Sequence, residues 1–167
     1  QTNSYYFFAK HFVFVLAGLF ILFSFSILQQ KTLFNLSIIL FLLFFILLAL
    51  VPFIGIEVKG SKRWIDIASI VRLQPIELLK PFFILLIARI LALESSSNLY
   101  TRYIYSMLAL FSVIFLLINQ PDIGQTLLII FTYGVMIFIS GINLIFLTTV
   151  FLVAIGFVIS IVYYYVR

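Results

Sequence analysis

The sequence predicts an all-α polytopic integral membrane protein, and three observations carry that reading. Hydrophobic residues make up 65% of the chain and charged residues 9%, against roughly 45–50% and about 25% in a soluble domain. Mean hydropathy is +1.32, so polar surface is too scarce to cover the molecule and lipid must be its solvent. Apolar runs close to the ~20 residues that a bilayer-crossing helix needs fill the 167 residues almost end to end.

Six spans are expected, over about 12–28, 33–51, 75–93, 103–118, 123–140 and 144–166. Backbone groups in hydrocarbon must bond internally, so each span is expected to be helical. Together they form one transmembrane domain over 1–167. Most connections are short, which implies antiparallel neighbours. The exceptions are the N-terminal stretch 1–11 and a long polar loop over 52–74. No basic segment precedes a cleavable apolar run, so no signal peptide is expected. The first residue is Gln1 and not Met, which reads as a trimmed chain or a gene fragment.

Composition excludes several chemistries. Cysteine is absent, which removes a disulfide framework, a thiolate zinc site and a cysteine nucleophile. The single His11 has no ligand cluster near it, so no metal site is expected. The net charge of +5 lies in loops and at helix ends, where anionic membrane lipid is the expected partner and nucleic acid is not. Lys59, Lys62, Arg63 and Arg72, with Lys10 and Arg167, fall on one side; Lys31, Arg89 and Arg102 fall on the other. The positive-inside rule places the 52–74 loop in the cytoplasm on that count.

Three polar blocks carry the candidate chemistry. The first runs Gly55-Ile-Glu-Val-Lys-Gly-Ser-Lys-Arg-Trp-Ile-Asp66. Trp64 and its basic neighbours suit an interfacial anchor. Alternatively, Arg63 grips a phosphate bidentately, with Lys59 or Lys62 adding charge. The second block is Leu73-Gln-Pro-Ile-Glu-Leu-Leu-Lys80. Pro75 suits the first helical position, and Glu77 the positive end of the helix dipole. Gln74, Glu77 and Lys80 are spaced by three and share a helix face. That face is either a self-neutralising pair or the wall of a polar cavity; intramembrane charge is costly, which favours the cavity. The third block is Asn119-Gln-Pro-Asp-Ile-Gly-Gln-Thr126. Pro121 and Asp122 are ordinary helix-start residues. Gln125 and Thr126 are less easily explained so, because they carry polar groups into the bundle. Arg89 reads as a snorkelling anchor.

Taken together, the blocks resemble the FtsW/RodA/SpoVE family, known as SEDS. That family reads Gly-Ala/Ser-x-Arg-Trp-Ile, then Gln-Pro-Ser-Glu-x-x-Lys, then Pro-Asp-x-Gly. Here the corresponding runs are Gly60-Ser-Lys-Arg-Trp-Ile65, Gln74-Pro-Ile-Glu77 with Lys80, and Asn119-Gln-Pro-Asp-Ile-Gly-Gln-Thr126. Ile76 stands where the family usually has Ser. Val58-Lys-Gly60, Lys80-Pro81 and Asp122-Ile-Gly-Gln-Thr126 lean toward FtsW of alphaproteobacteria.

The resemblance implies a peptidoglycan glycosyltransferase of septal wall synthesis in the bacterial inner membrane. It would join the C4 hydroxyl of one sugar to C1 of a growing glycan, consuming lipid II and releasing undecaprenyl pyrophosphate. The leaving pyrophosphate needs cationic stabilisation. Arg63 is the expected phosphate contact and Lys80 a second one, with Glu77 and Gln74 orienting Lys80 and Trp64 seating the loop. Asp122, with Pro121 and Gly124, is expected to shape a periplasmic helix junction. The family has ten membrane helices, so the six spans correspond to helices two to seven, and the catalytic aspartate would lie beyond Arg167. The resemblance also places the 52–74 loop in the periplasm, against the charge count. Its implied partners are a class B penicillin-binding protein and other divisome proteins. A divalent cation is compatible with the chemistry, but no residue marks a site for one. Alternative readings are a lipid II flippase, a noncatalytic divisome scaffold, and a RodA-type elongation polymerase.

Overall fold

The computed structural model describes residues 4–58, 60–67, 71–92, 99–141 and the single positions Thr148, Leu152 and Gly156. Five helices are described: α1 Ser4–Ser26, α2 Gln30–Ile54, α3 Pro75–Ala92, α4 Leu99–Asn119 and α5 Ile123–Ile139. The expected sixth span, 144–166, falls almost wholly outside the described residues. By length and apolar composition, the segments Gln30–Ile54 and Tyr100–Asn119 are sufficient to cross a membrane. α3 has 18 residues and α5 has 17. At about 1.5 Å per residue they reach roughly 27 and 26 Å, a little short of a ~30 Å hydrocarbon core.

Helices α2 to α5 pack around a shared core. Leu48, Leu79, Phe83, Ile87, Val113 and Leu117 are fully buried there, with Ile129 beside them. The outward faces stay apolar, with Leu43, Phe53, Phe111, Phe115 and Phe131 all exposed. Apolar surface on this scale is not sustained in water. α1 touches the bundle through its C-terminal end, where the rings of Phe25 and Phe82 lie 6.0 Å apart.

The all-helical expectation needs one correction. The 52–74 stretch is not a featureless loop. It holds a three-stranded antiparallel sheet of β1 Ile56–Val58, β2 Ser61–Ile67 and β3 Val71–Leu73, in the order β1-β2-β3. Its strands are short and mix charges with β-branched residues, so a hydropathy pattern tuned to long spans passes over them. Gly60 turns the first hairpin at φ +80°, a conformation that costs glycine little. Gly55 is required for a different reason. A Cβ there would lie 2.5 Å from the Val51 carbonyl oxygen and 3.2 Å from that of Trp64. The absent side chain lets the hairpin fold down onto the end of α2.

Candidate functional site

The sheet places β2 over the α4–α5 junction, and the three polar blocks meet there. Arg63, half-buried on β2, donates from Nε to the Gln120 carbonyl at 3.3 Å and from a terminal nitrogen to the Pro121 carbonyl. Its other terminal nitrogen lies 3.6 Å from a carboxylate oxygen of Asp122. Asp122 is 5% exposed. It accepts from Gln74 Nε2 at 3.0 Å and caps α5 by accepting from the Gln125 backbone N–H at 3.5 Å. One buried carboxylate therefore joins β2, α3 and α5. A buried charge is tolerated only when it is paired and hydrogen-bonded.

One helical turn deeper lies a second cluster. Lys80 Nζ is 2.6 Å from the Glu77 carboxylate and donates to Gln125 Oε1 at 3.1 Å. Gln125 Nε2 in turn donates to the other oxygen of Glu77 at 2.7 Å. The three side chains close a ring across α3 and α5. The Lys80 side chain is 20% exposed and that of Glu77 48%, so the ring is open on the Glu77 side. An ammonium fixed beside a half-open edge can meet an anionic group, and the neighbouring carboxylate can accept a hydrogen bond from a hydroxyl.

The geometry revises one expectation. Gln74 does not orient Lys80. Its amide reaches Asp122, because it precedes the first turn of α3 and faces the α5 cap. Gln125 performs the bridging instead. Arg63 directs its fork inward, toward two carbonyls and a carboxylate. Trp64 sits on β2, paired in register with Ile56. Lys62 is exposed and reaches the Pro52 carbonyl at 3.5 Å, away from the ring. Lys59 lies outside the described residues. Gly124 has open space where a Cβ would be, so no close approach demands glycine there. Thr126 bonds back to the Asp122 carbonyl at 2.8 Å and does not enter the network.

Gln120 was not singled out by sequence reasoning. It is buried, and its Nε2 donates to the Leu48 carbonyl at 2.8 Å. That carbonyl is unclaimed within α2 because Pro52, four residues on, has no N–H. The orphan was visible in the sequence, but its partner 72 positions away was not.

A lipid-facing helical bundle, capped at one end by a small sheet and tied together there by a partly buried ionic network, defines a polytopic membrane protein with a polar site at one mouth. The chain belongs to the FtsW/RodA/SpoVE family of cell cycle proteins, which it matches over residues 1–167. It is 35% identical to the probable peptidoglycan glycosyltransferase FtsW of Caulobacter vibrioides over 91 residues, 54% of this chain and 23% of that one. A chain of a solved peptidoglycan synthase complex, which coordinates polymerization with crosslinking, superposes with a TM-score of 0.79 at 28% identity. That match covers 93% of this chain and 46% of the other. The rod shape determining protein RodA of Thermus thermophilus gives 0.70 at 30% identity, covering 84% and 46%. The chain thus spans less than half the length of each.

Proposed function

We propose that this chain belongs to a peptidoglycan glycosyltransferase that polymerises lipid II at the outer face of the bacterial inner membrane. One observation carries the proposal: three polar blocks, separate in sequence, converge on a single network at one mouth of the bundle. The FtsW and RodA likenesses support it. In this reading, 1–167 is one transmembrane domain with six spans, and the 52–74 sheet is periplasmic. Lys80 and Glu77 present the polar edge that meets the substrate. Lys80 stabilises the departing pyrophosphate, with positive charge added by Arg63 and, farther out on the 52–74 segment, by Lys59 and Lys62. Arg63, Asp122 and Gln74 hold β2, α3 and α5 in register beneath it, and Trp64 seats the sheet at the interface. The general base is not assigned to any residue of 1–167.

We assign the septal role of FtsW on Val58-Lys-Gly60 and Asp122-Ile-Gly-Gln-Thr126. The partner is a class B penicillin-binding protein within the divisome, supported by the likeness to a complex that couples polymerization to crosslinking. A RodA-type elongation role is the second reading, favoured by the Thermus thermophilus match at 30% identity.

The test is Arg63→Ala in the protein as its cell makes it, assayed on purified lipid II. We expect polymerisation to be abolished while folded protein is retained. Arg63→Lys restores activity only partially, because a fork that spans three acceptors becomes a point charge. Full activity of the alanine variant would reduce Arg63 to a structural tie between β2 and the α4–α5 junction.

A further inference from the structure

A recess with an apolar floor and a rim of cationic and amide side chains lies at the opposite end of the bundle from the network just described. It has a volume of about 390 Å³ and is lined by Gln30, Lys31, Phe34, Asn35, Arg89 and Ala92. It forms where α2 begins and α3 ends, so both helices supply their terminal turns. Arg89 donates from a terminal nitrogen to Asn35 Oδ1 at 2.9 Å. This bond crosses between helices and draws one guanidinium nitrogen against α2. Most of the five N–H donors of arginine remain available after that single bond. Lys31 lies one turn before Asn35 on the same face of α2. It is exposed, and no described residue pairs with it. The first backbone N–H groups of α2 have no side-chain cap, since Gln29 makes no such bond.

The charge distribution sharpens the point. The ion pairs among the described residues are Arg63–Asp122, Arg72–Asp66 and Lys80–Glu77, all at the sheet end. Within that described set, Lys31 and Arg89 form none. Lys31 and Arg89, the amide side chains of Gln30 and Asn35, and the uncapped first turn of α2 all border this recess, with no described carboxylate among its lining. Such a donor set complements a tetrahedral oxyanion. Phe34 and the apolar flank of α2 suit an acyl chain running away from it.

We propose that this recess binds a phosphate group, held by Arg89 and Lys31. The shared chemistry is that of an anionic phospholipid headgroup in the leaflet at that end, or of a free phosphate.

The experiment is native mass spectrometry of the full chain released from detergent, titrated with phosphatidylglycerol, with phosphatidylcholine as a zwitterionic control. The expected result is preferential retention of phosphatidylglycerol. Arg89→Gln and Lys31→Gln should each weaken it about fivefold, the factor that matches one juxtamembrane cation. Lys31→Gln breaks no contact in the fold, so it keeps the test meaningful if Arg89→Gln perturbs the helix pair. Inorganic phosphate is the competing probe. If it displaces the lipid, the recess is a free-phosphate site; if it does not, the lipid headgroup is the ligand. Equal retention of phosphatidylglycerol by wild type and both variants overturns the proposal, as does equal retention of both lipids by the wild type.

Discussion

At the residue scale, the candidate site is governed by side chains that each serve two helices. Gln125 is the clearest case. Its amide group accepts from Lys80 and donates to Glu77, so the ammonium and the carboxylate are held at fixed positions. Hydrogen bonds to charged groups contribute about 1.5–3 kcal/mol each. We expect Gln125→Ala to lower the polymerisation rate at least tenfold, with lipid II affinity changed less and the folded yield unchanged. Steady-state kinetics with full-length protein separate the two effects. An unchanged rate would remove Gln125 from the site. Asp122 has a comparable role nearer the sheet. Its burial makes sense only with Gln74, Arg63 and the α5 cap in place. Asp122 and the Arg63-Trp64 pair stood out in the sequence as isolated polar signals. That Arg63 and Asp122 touch was not legible, because 58 positions separate Arg63 from its Pro121 acceptor.

At the element scale, the sheet between α2 and α3 decides where the polar mouth lies. Its side of the membrane follows from two opposed arguments. A count of Lys and Arg places it inside. The resemblance of the Arg63-Trp64 block to the FtsW/RodA/SpoVE family places it outside, and we follow that resemblance in expecting the sheet to face the periplasm. Residues 1–167 lack cysteine, so Ser61→Cys gives this segment a single reporter, on β2. A membrane-impermeant maleimide should label it in intact spheroplasts. Labelling only after the membrane is permeabilised would reverse the orientation. Helices α2 to α5 run Gln30–Ile54, Pro75–Ala92, Leu99–Asn119 and Ile123–Ile139. α1 begins at Ser4, well before the apolar run expected from Phe12, because helical hydrogen bonding does not stop where hydropathy falls.

At the scale of the whole molecule, the network occupies one mouth of a bundle that spans less than half of its relatives' length. Residues 1–167 hold a cation, a carboxylate and their positioning groups, but no residue among them is assigned as the base. We expect purified 1–167 in liposomes, given labelled lipid II, to make no glycan above background while still binding the lipid. Loss of a general base costs about 10²–10⁴-fold, and an incomplete cavity loses positioning as well. Glycan chains from this segment would place a complete active site within it.

The sequence by itself determined the solvent of this protein, the course of most of its helices and the polar blocks that matter. Each of these is a local property: hydropathy over about twenty residues, a proline at a helix start, a carboxylate at a cap. Only the tertiary structure decided which polar groups meet. Gln74 turned to Asp122 and not to Lys80, Gln125 became the bridge, and Gln120 found the carbonyl that Pro52 leaves free in α2. The reason is physical. In an apolar bundle a buried polar group without a partner is costly, and which partner lies within about 3 Å depends on how the helices pack, information that no local window of sequence contains.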